Sequence, residues 1–598
     1  MPGAVNVALR WVRAGNAVAS PVITSRALPI SSINVAYLTT QLQATGSPTS
    51  WSVTGLPAGM SFNSSTGTLT GTPTAINKSE ISLTATNATG TSLPTKIGLG
   101  VLNPEDPTIT TNRLVDGEVG LEYYARIFSN QNTNASYAVN QLPSGLSLNS
   151  NTGEITGIPA SSGVTSVQIT AINTIASRNK TLQIEIKQKQ SGKLYSDSLS
   201  YKGAFALPID SSSSNAGGFA YRPVSAQRPN GSLYIGSIRR NSNNDLVNDS
   251  VSEVSISTPS MYASVANMQE SSVLSGLRAN VTQDQINQTD LDADQAGGGA
   301  AVLRGLFVDG NKLIISALAV YVNNSKQTYS HFVKSSLDLS TSGNVSAPLR
   351  IQFPQPSGWV RNPSAWSGRI TGGYMCKIPA SWQAAFGADM LTGNVGGSIV
   401  TSLSRGPALV SFNSADLGVQ IPCAGKMLLG YDTGSELNPD GDDAVVSNPY
   451  WNQACALSGV IWPDGTDSVL FFGSQASGTY MYKPGTPGNP YPDAWPVDSE
   501  GNAAWPYLFT VYAYDANDLL LVSQGTKNSN AVKPYSVWRL SIPVYDGWID
   551  KPPKLAGGVC LQPASDSPTG KARIFLAINN QDKRNFTNNC VVHVLELN

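Results

Sequence analysis

An internal repeat constrains this chain more than any other feature. LPAGMSFNSSTGTLTGTP, from Leu56 to Pro73, returns as LPSGLSLNSNTGEITGIP, from Leu142 to Pro159, at an offset of 86 residues with no insertion or deletion. The same offset links Pro21 to Pro107, Ile23 to Ile109, Tyr37 to Tyr123, Ala85 to Ala171 and Asn87 to Asn173. An offset held constant over most of the unit means two copies of one domain. Within each copy, ISLTAT (Ile81 to Thr86) and VQITAI (Val167 to Ile172) put every second side chain on one face, the pattern of half-buried strands. Asn63 to Gly67 and Asn149 to Gly153 supply small polar turn formers, and their glycines can take positive φ where the chain reverses. Gly71 and Gly157 precede Pro73 and Pro159, which suit a strand edge.

A unit of this size with several short strands and no cysteine predicts a sandwich of immunoglobulin type without its disulfide. The pattern LPxGφxφNxxTGxφTGxP resembles the signature of immunoglobulin-like modules of the cadherin and dystroglycan-like group. The resemblance covers roughly residues 20 to 188 and implies tandem spacers or adhesive units, as in bacterial surface proteins and bacteriophage structural proteins. Some modules of that wider group bind calcium at domain junctions. Glu105 with Asp106 lies at this junction, but two acids fall short of a ligand set. The expected division is an N-terminal arm (1–19), a first module (20–103), a second (104–188) and one large unit (194–598). KQKQSGK, from Lys187 to Lys193, reads as the linker before it.

Composition narrows the classes. Charged residues make up 13% of the 598, against about 25% in ordinary domains, while 55 Gly and 37 Pro mark turn-rich β structure. Lys plus Arg (38) nearly cancels Asp plus Glu (39), so no net field is available to hold a nucleic acid. No run of eighteen or more apolar residues predicts a membrane span. Cys376, Cys423, Cys455, Cys560 and Cys590 form no CxxC pair and are expected to be buried reduced thiols, which fits folding in a cytoplasm. The first twenty residues, interrupted by Arg10 and Arg13, make a poor secretory signal.

The large unit repeats a different motif. Asn230-Gly231, Asp309-Gly310 and Asp464-Gly465 each stand between apolar runs and predict tight hairpins with both central residues at positive φ. Two looser relatives span Thr371 to Asn413 and Gly557 to Ile578. Each begins with Gly or a small residue beside an apolar strand, as crowding around a central axis requires. The expected fold is therefore all-β: two tandem immunoglobulin-like sandwiches followed by a five-bladed β-propeller. Six or seven blades, a further β-sandwich and a β-helix are the alternatives. One short helix is expected within Pro379 to Leu391. Gly358 to Ala388, Ser468 to Gly485, Trp505 to Val522 and Val532 to Leu540 resemble propeller-like proteins of phages, prophages and their hosts. That resemblance transfers no functional residue, but it implies a virion protein.

Chemistry is sparse. His331 and His593 are the only histidines, so neither a Ser-His-Asp triad nor a multi-His zinc site can be assembled, and each reads as structural. A glycosidase needs only two carboxylates, but Asp309 and Asp464 occupy turn positions that geometry alone explains. Arg222, Arg304 and Arg405 fall near the starts of three predicted sheets and could clamp an acidic sugar, or could bond loop carbonyls instead. Asp290, Asp292 and Asp294, and Asp440, Asp442 and Asp443, form two acidic loops that could hold calcium or simply be solvated. No other cofactor is expected. Tyr450 and Trp451, with Tyr480, Tyr482, Tyr491 and Trp495, are expected to be exposed on Gly- and Pro-rich loops, where rings stack on sugar faces or pack on their own domain. The sequence thus predicts a bacteriophage structural protein (tail fibre, receptor-binding or decoration protein) that binds a host-surface glycan or receptor. It would meet other virion proteins through its arm or modules and assemble as a homo-oligomer. A glycoside hydrolase or lyase and a bacterial surface adhesin are the other readings.

Overall fold

The computed structural model describes residues 20–598 except 26–27, 30, 76, 93, 103–106, 130–134, 175, 209–217, 241–245, 263, 284, 287–290, 296–300, 320–321, 341–342, 360–361, 395–405, 433–436, 438–449, 452–454, 477–480, 483–501, 504–506, 544–557 and 583–588. The two copies of the repeat form the same pair of sheets. In the first, Ser31–Ser32, Thr95–Leu102, Asn77–Asn87 and Ser50–Thr54 make one sheet, and Thr40–Gln41, Thr68–Gly71 and Met60–Asn63 the other. In the second, Gly117–Glu118, Ser177–Lys187, Gly163–Ile172 and Ser136–Val139 repeat that order, with Tyr123–Arg126, Glu154–Gly157 and Leu146–Leu148 opposite. Each first strand joins its last strand in parallel, the remaining pairs being antiparallel.

The repeated turn has a physical cause. Asn63 Oδ1 accepts from the N–H groups of Ser65 and Thr66, at 2.9 and 3.1 Å, and Asn149 does the same for Asn151 and Thr152, at 3.0 and 3.3 Å. The following glycines, Gly67 and Gly153, take φ of 70° and 72°. Apolar residues of alternating strands fill each sandwich: Trp51, Leu69, Ile81, Leu83 and Leu99 in the first, and Ile155, Val167, Ile169 and Ile184 in the second. No cysteine is needed because these residues supply the core.

From Leu199 onward the chain folds into five antiparallel sheets. Their first strands are Phe219–Arg222, Ala301–Asp309, Met375–Lys377, Ala456–Ile461 and Val559–Gln562. The fifth sheet is completed by the opening strand of the unit, since Leu199–Ala206 pairs with Asn589–Leu597. Closing the last sheet with the first strand ties the two ends of the unit together.

The first strands touch in cyclic order, each meeting the next and the fifth meeting the first. Five cores alternate with the five sheets in the same order. Tyr234 and Val251 pack with Leu303 and Phe332, Ile314 with Met375 and Val410, and Leu391 and Leu428 with Val469 and Phe471. Leu470 and Val511 pack with Ile574 and Leu595, and Phe575 and Val592 with Phe219 and Leu233. Every sheet is thus buried on both faces, which explains near-continuous apolar runs such as Ser468–Ala476, where all nine residues are buried. Where the first strands meet, glycine is required by space: a Cβ on Gly305 would lie 2.2 Å from the Gly373 carbonyl oxygen. One on Gly459 or Gly558 would strike Val559 or Phe219, each at 2.6 Å.

Several sequence expectations need correction. Only Asp309-Gly310 makes a tight hairpin, and its two-residue loop is Gly310-Asn311, because Asp309 still pairs with Lys312. The loops at Asn230-Gly231 and Asp464-Gly465 are longer, with Arg222 paired to Ser232 and Ile461 to Leu470. In all three, the glycine alone has positive φ. The helix spans Ala380–Phe386 and stops at Gly387, φ 63°, so Leu391 belongs to the strand Met390–Thr392. Lys187 closes the last strand of the second module, and the rest of the presumed linker is fastened down. Leu194 N–H donates to Ser468 Oγ at 2.9 Å, and Lys193 pairs with Asp515 at 2.6 Å. The five cysteines are free and buried, as expected.

Candidate functional site

The proposed ligand residues fall into three groups. Arg405, Tyr480, Tyr491, Trp495, Asp290, Asp440, Asp442 and Asp443 lie outside the described residues, as do Glu105 and Asp106. Tyr482 and Asp294 stand in the short strands Met481–Tyr482 and Ala293–Gln295. Asp292 is exposed at φ 47° and accepts from Thr328 Oγ1 at 2.7 Å. Among the described residues no three His, Cys, Asp or Glu side chains gather as a metal site.

Tyr450 and Trp451 were expected to be exposed, and both are buried. Trp451 packs edge-on against Tyr512 at 5.6 Å between ring centroids, and the Tyr512 hydroxyl donates to the Tyr450 carbonyl at 3.0 Å. The Tyr450 hydroxyl accepts from the Asp116 N–H at 3.0 Å, and Arg113 stacks 4.9 Å above its ring. These rings serve packing between the second module and the large unit, so a Gly- and Pro-rich neighbourhood misled the reading of exposure.

That interface has further members. Arg539 lies 4.6 Å over the Tyr124 ring, and Val115 packs on the core shared by the third and fourth sheets. Glu118, buried beside Ser536 and Lys187, has its pKa raised to about 7: burial drives it up, and the Ser536 hydroxyl and the Lys187 ammonium only partly oppose it. No sequence signal marked Glu118. Its counterpart in the first copy is Ser32, so a departure between the repeats was the one available hint.

Arg222 is engaged within the fold rather than presented to a ligand. It donates to Glu253 at 2.9 Å and to the Tyr234 hydroxyl at 3.2 Å. Arg228 forks onto both Glu253 oxygens at 2.7 and 2.9 Å, and Ser232 donates at 2.6 Å. Burial would raise the Glu253 pKa, but these donors outweigh it and hold it below the usual carboxylate range.

Arg304 is different. It is the extra residue of a β-bulge, since Leu303 faces Ala317 and Gly305 faces Ser316. Its Nε is buried without a hydrogen-bond partner, and burial lowers its pKa to about 10. Arg369, fully buried on the short helix Ser367–Thr371, donates to the Ala319 carbonyl, and its pKa is lowered to about 10 by burial and by Arg304.

His331 and His593 are structural. Burial lowers both to about 3, and the Nδ1 atoms lie 2.7 Å from Ser330 Oγ and 2.9 Å from the Tyr201 hydroxyl. Asp464 is exposed in its turn and Asp309 ends a strand.

The repeat geometry meets independent comparison here. A family model described as "Putative Ig domain" matches residues 16–102 and again 99–187. Both early copies are immunoglobulin-like domains. Over 179 residues, 29% of this chain, the protein is 32% identical to the "Serine-rich adhesin for platelets" of Staphylococcus aureus strain N315. The homologue of strain MRSA252 has the same identity over the same length. The chain spans only 8% and 13% of the length of those two relatives. Among solved structures, the titin Ig tandem A164–A165 is 15% identical, covering 28% of this chain and 98% of that one at a TM-score of 0.14. An endo-fucoidan hydrolase of glycoside hydrolase family 107 is 16% identical, covering 38% and 39% at 0.15. No helix among the described residues is long and apolar enough to cross a membrane.

Proposed function

We propose that this protein is a bacterial surface adhesin, in which the two immunoglobulin-like domains form a stalk and residues 194–598 form a five-bladed β-propeller that presents the binding surface. The observation that carries the adhesin reading is the 32% identity of the tandem to an adhesin for platelets. The propeller reading is supported by five sheets whose first strands touch cyclically, by the five alternating cores and by closure with the opening strand. The partition 1–19, 20–103, 104–188 and 194–598 belongs to this proposal, as do a location outside the cell and a ligand on a host surface.

A second reading, a bacteriophage virion protein, draws on the resemblance of the C-terminal stretches to phage-associated proteins. Its arm and modules would then meet other virion proteins in a homo-oligomer. One experiment separates the two. Immunogold labelling of a producing culture with antibody against the whole chain should decorate the cell envelope if it is an adhesin. Label on phage particles would replace that reading with the virion one, and label confined to the cell interior would defeat both.

A further inference from the structure

Elsewhere in the large unit, buried charge is answered by opposite charge. Glu253 has Arg222 and Arg228, and Glu596, 4% exposed, pairs with Arg573 at 3.0 Å and with Lys202 at 3.1 Å. Arg304 breaks this rule. It has no acid partner, and its Nε is sealed from water without an acceptor. Leaving a guanidinium so placed costs free energy that the fold does not recover internally.

Its position says where a compensating group would sit. Arg304 immediately precedes Gly305, and Gly305 is pressed against the Gly373 carbonyl where the first strands of the second and third sheets meet. A bulge at this point re-aims a side chain away from the regular ladder. The fourth sheet repeats the device. Ser458 precedes Gly459 and is again the extra residue, because Leu457 faces Gly473 and Gly459 faces Phe472. Ser458 Oγ is likewise buried without a partner. Two equivalent positions in the cycle of first strands thus carry a donor with nothing to donate to. A second guanidinium is close by: Arg369 reaches the Ala319 carbonyl on the strand Lys312–Ala319, the strand whose Ala317 and Ser316 flank the Arg304 bulge.

We propose that the ring of first strands holds an oxyanion site in which Arg304 is the principal cation, Arg369 the second cation and Ser458 a hydroxyl donor. The ligand group is a carboxylate or sulfate. A guanidinium fork matches two oxygens of either, and an anion between two guanidinium groups turns their mutual repulsion into attraction to a shared charge. Arg304 is only partly buried as a whole residue, so a ligand group can reach it. The inference goes beyond the adhesin reading and does not depend on it, since either an acidic saccharide or a free inorganic anion carries the required chemistry.

Titration calorimetry on the full chain, at constant ionic strength, tests it with sodium D-glucuronate, sodium sulfate and D-glucose. At least one of the two anions should bind once per chain, while glucose gives no heat. Glucuronate binding would assign the site to an acidic saccharide, and binding of sulfate alone to an inorganic anion. Arg304→Gln should weaken binding at least about tenfold, the loss expected when a charge-assisted bidentate contact is removed. Ser458→Ala should weaken it by a smaller factor. Should Arg304→Gln fail to fold, diffraction from the wild-type chain soaked in selenate decides: an anomalous peak within hydrogen-bond distance of Arg304 supports the site. Absence of such a peak, no binding of either anion, or unchanged affinity in Arg304→Gln would overturn it.

Discussion

At the scale of single residues, the large unit is held by a few polar centres set into apolar sheets. Glu253 is the clearest. Its side chain is fully buried and receives donors from Arg222, Arg228 and Ser232. Removing the acid strands two cations at the edge of the core, so Glu253→Gln should cost about 3–5 kcal/mol, the usual penalty for breaking a buried pair. Urea unfolding of the full chain reads this directly, and an unchanged midpoint would show the network to be incidental. The histidines give a second prediction. Burial holds His331 and His593 near 3, so each contributes stability that is complete above the unfolded value of about 6.5 and is lost as pH falls toward 3. Within that window each buried imidazole costs up to about 1.4 kcal/mol per pH unit. His593→Gln, which keeps a partner for the Tyr201 hydroxyl, should flatten the acid limb of a melting-temperature profile relative to wild type. An identical acid limb would mean that other groups govern it.

At the scale of elements, the meeting of the first strands is the most demanding feature. Gly305→Ala puts a methyl group 2.2 Å from a backbone oxygen that cannot swing aside. Overpacking of this kind costs about 1–3 kcal/mol, and a urea midpoint equal to that of wild type would argue against close contact at this point. This element was partly legible. Glycine beside an apolar strand recurred in five places, and the 86-residue offset laid out both sandwiches down to the Asn-initiated turns, because turn chemistry and strand alternation are local properties. What stayed hidden was non-local. Tyr450 and Trp451 sit in loop-like sequence, and only the second module arriving against them makes them buried. Arg222 and Arg304 look alike along the chain, each near the start of a sheet. They differ because Glu253 comes from a strand two places on in the first sheet, whereas nothing acidic faces the second. Asp309 and Asp464 likewise read as paired turn residues, although only one of them borders a two-residue loop.

At the scale of the molecule, the second immunoglobulin-like domain is seated on the large unit by a titratable contact. Glu118 is buried between its own strand partner Lys187 and Ser536 of the large unit, with Asp116, Lys187 and Tyr195 as the charged or titratable groups acting on or through it. Its carboxyl has a folded pKa of about 7, raised from an ordinary value of 4.5. The sign follows from linkage: the docked state holds the proton more tightly, so the stabilisation is complete below about 4.5 and is lost as pH rises through 7. At about 1.4 kcal/mol per pKa unit, the change across that window amounts to a few kcal/mol. That is comparable to what one modest interface can supply, since Arg113 on Tyr450 and Arg539 on Tyr124 are cation–π contacts worth about 0.5–2 kcal/mol each. Small-angle scattering of the full chain from pH 5 to 9 should therefore show the radius of gyration growing above pH 7 as the stalk loosens. Glu118→Gln, neutral at every pH, should stay compact throughout that range. Growth that persists in the variant would place the titrating group elsewhere, and a wild-type radius independent of pH would mean that the remaining contacts hold the stalk without help from the proton.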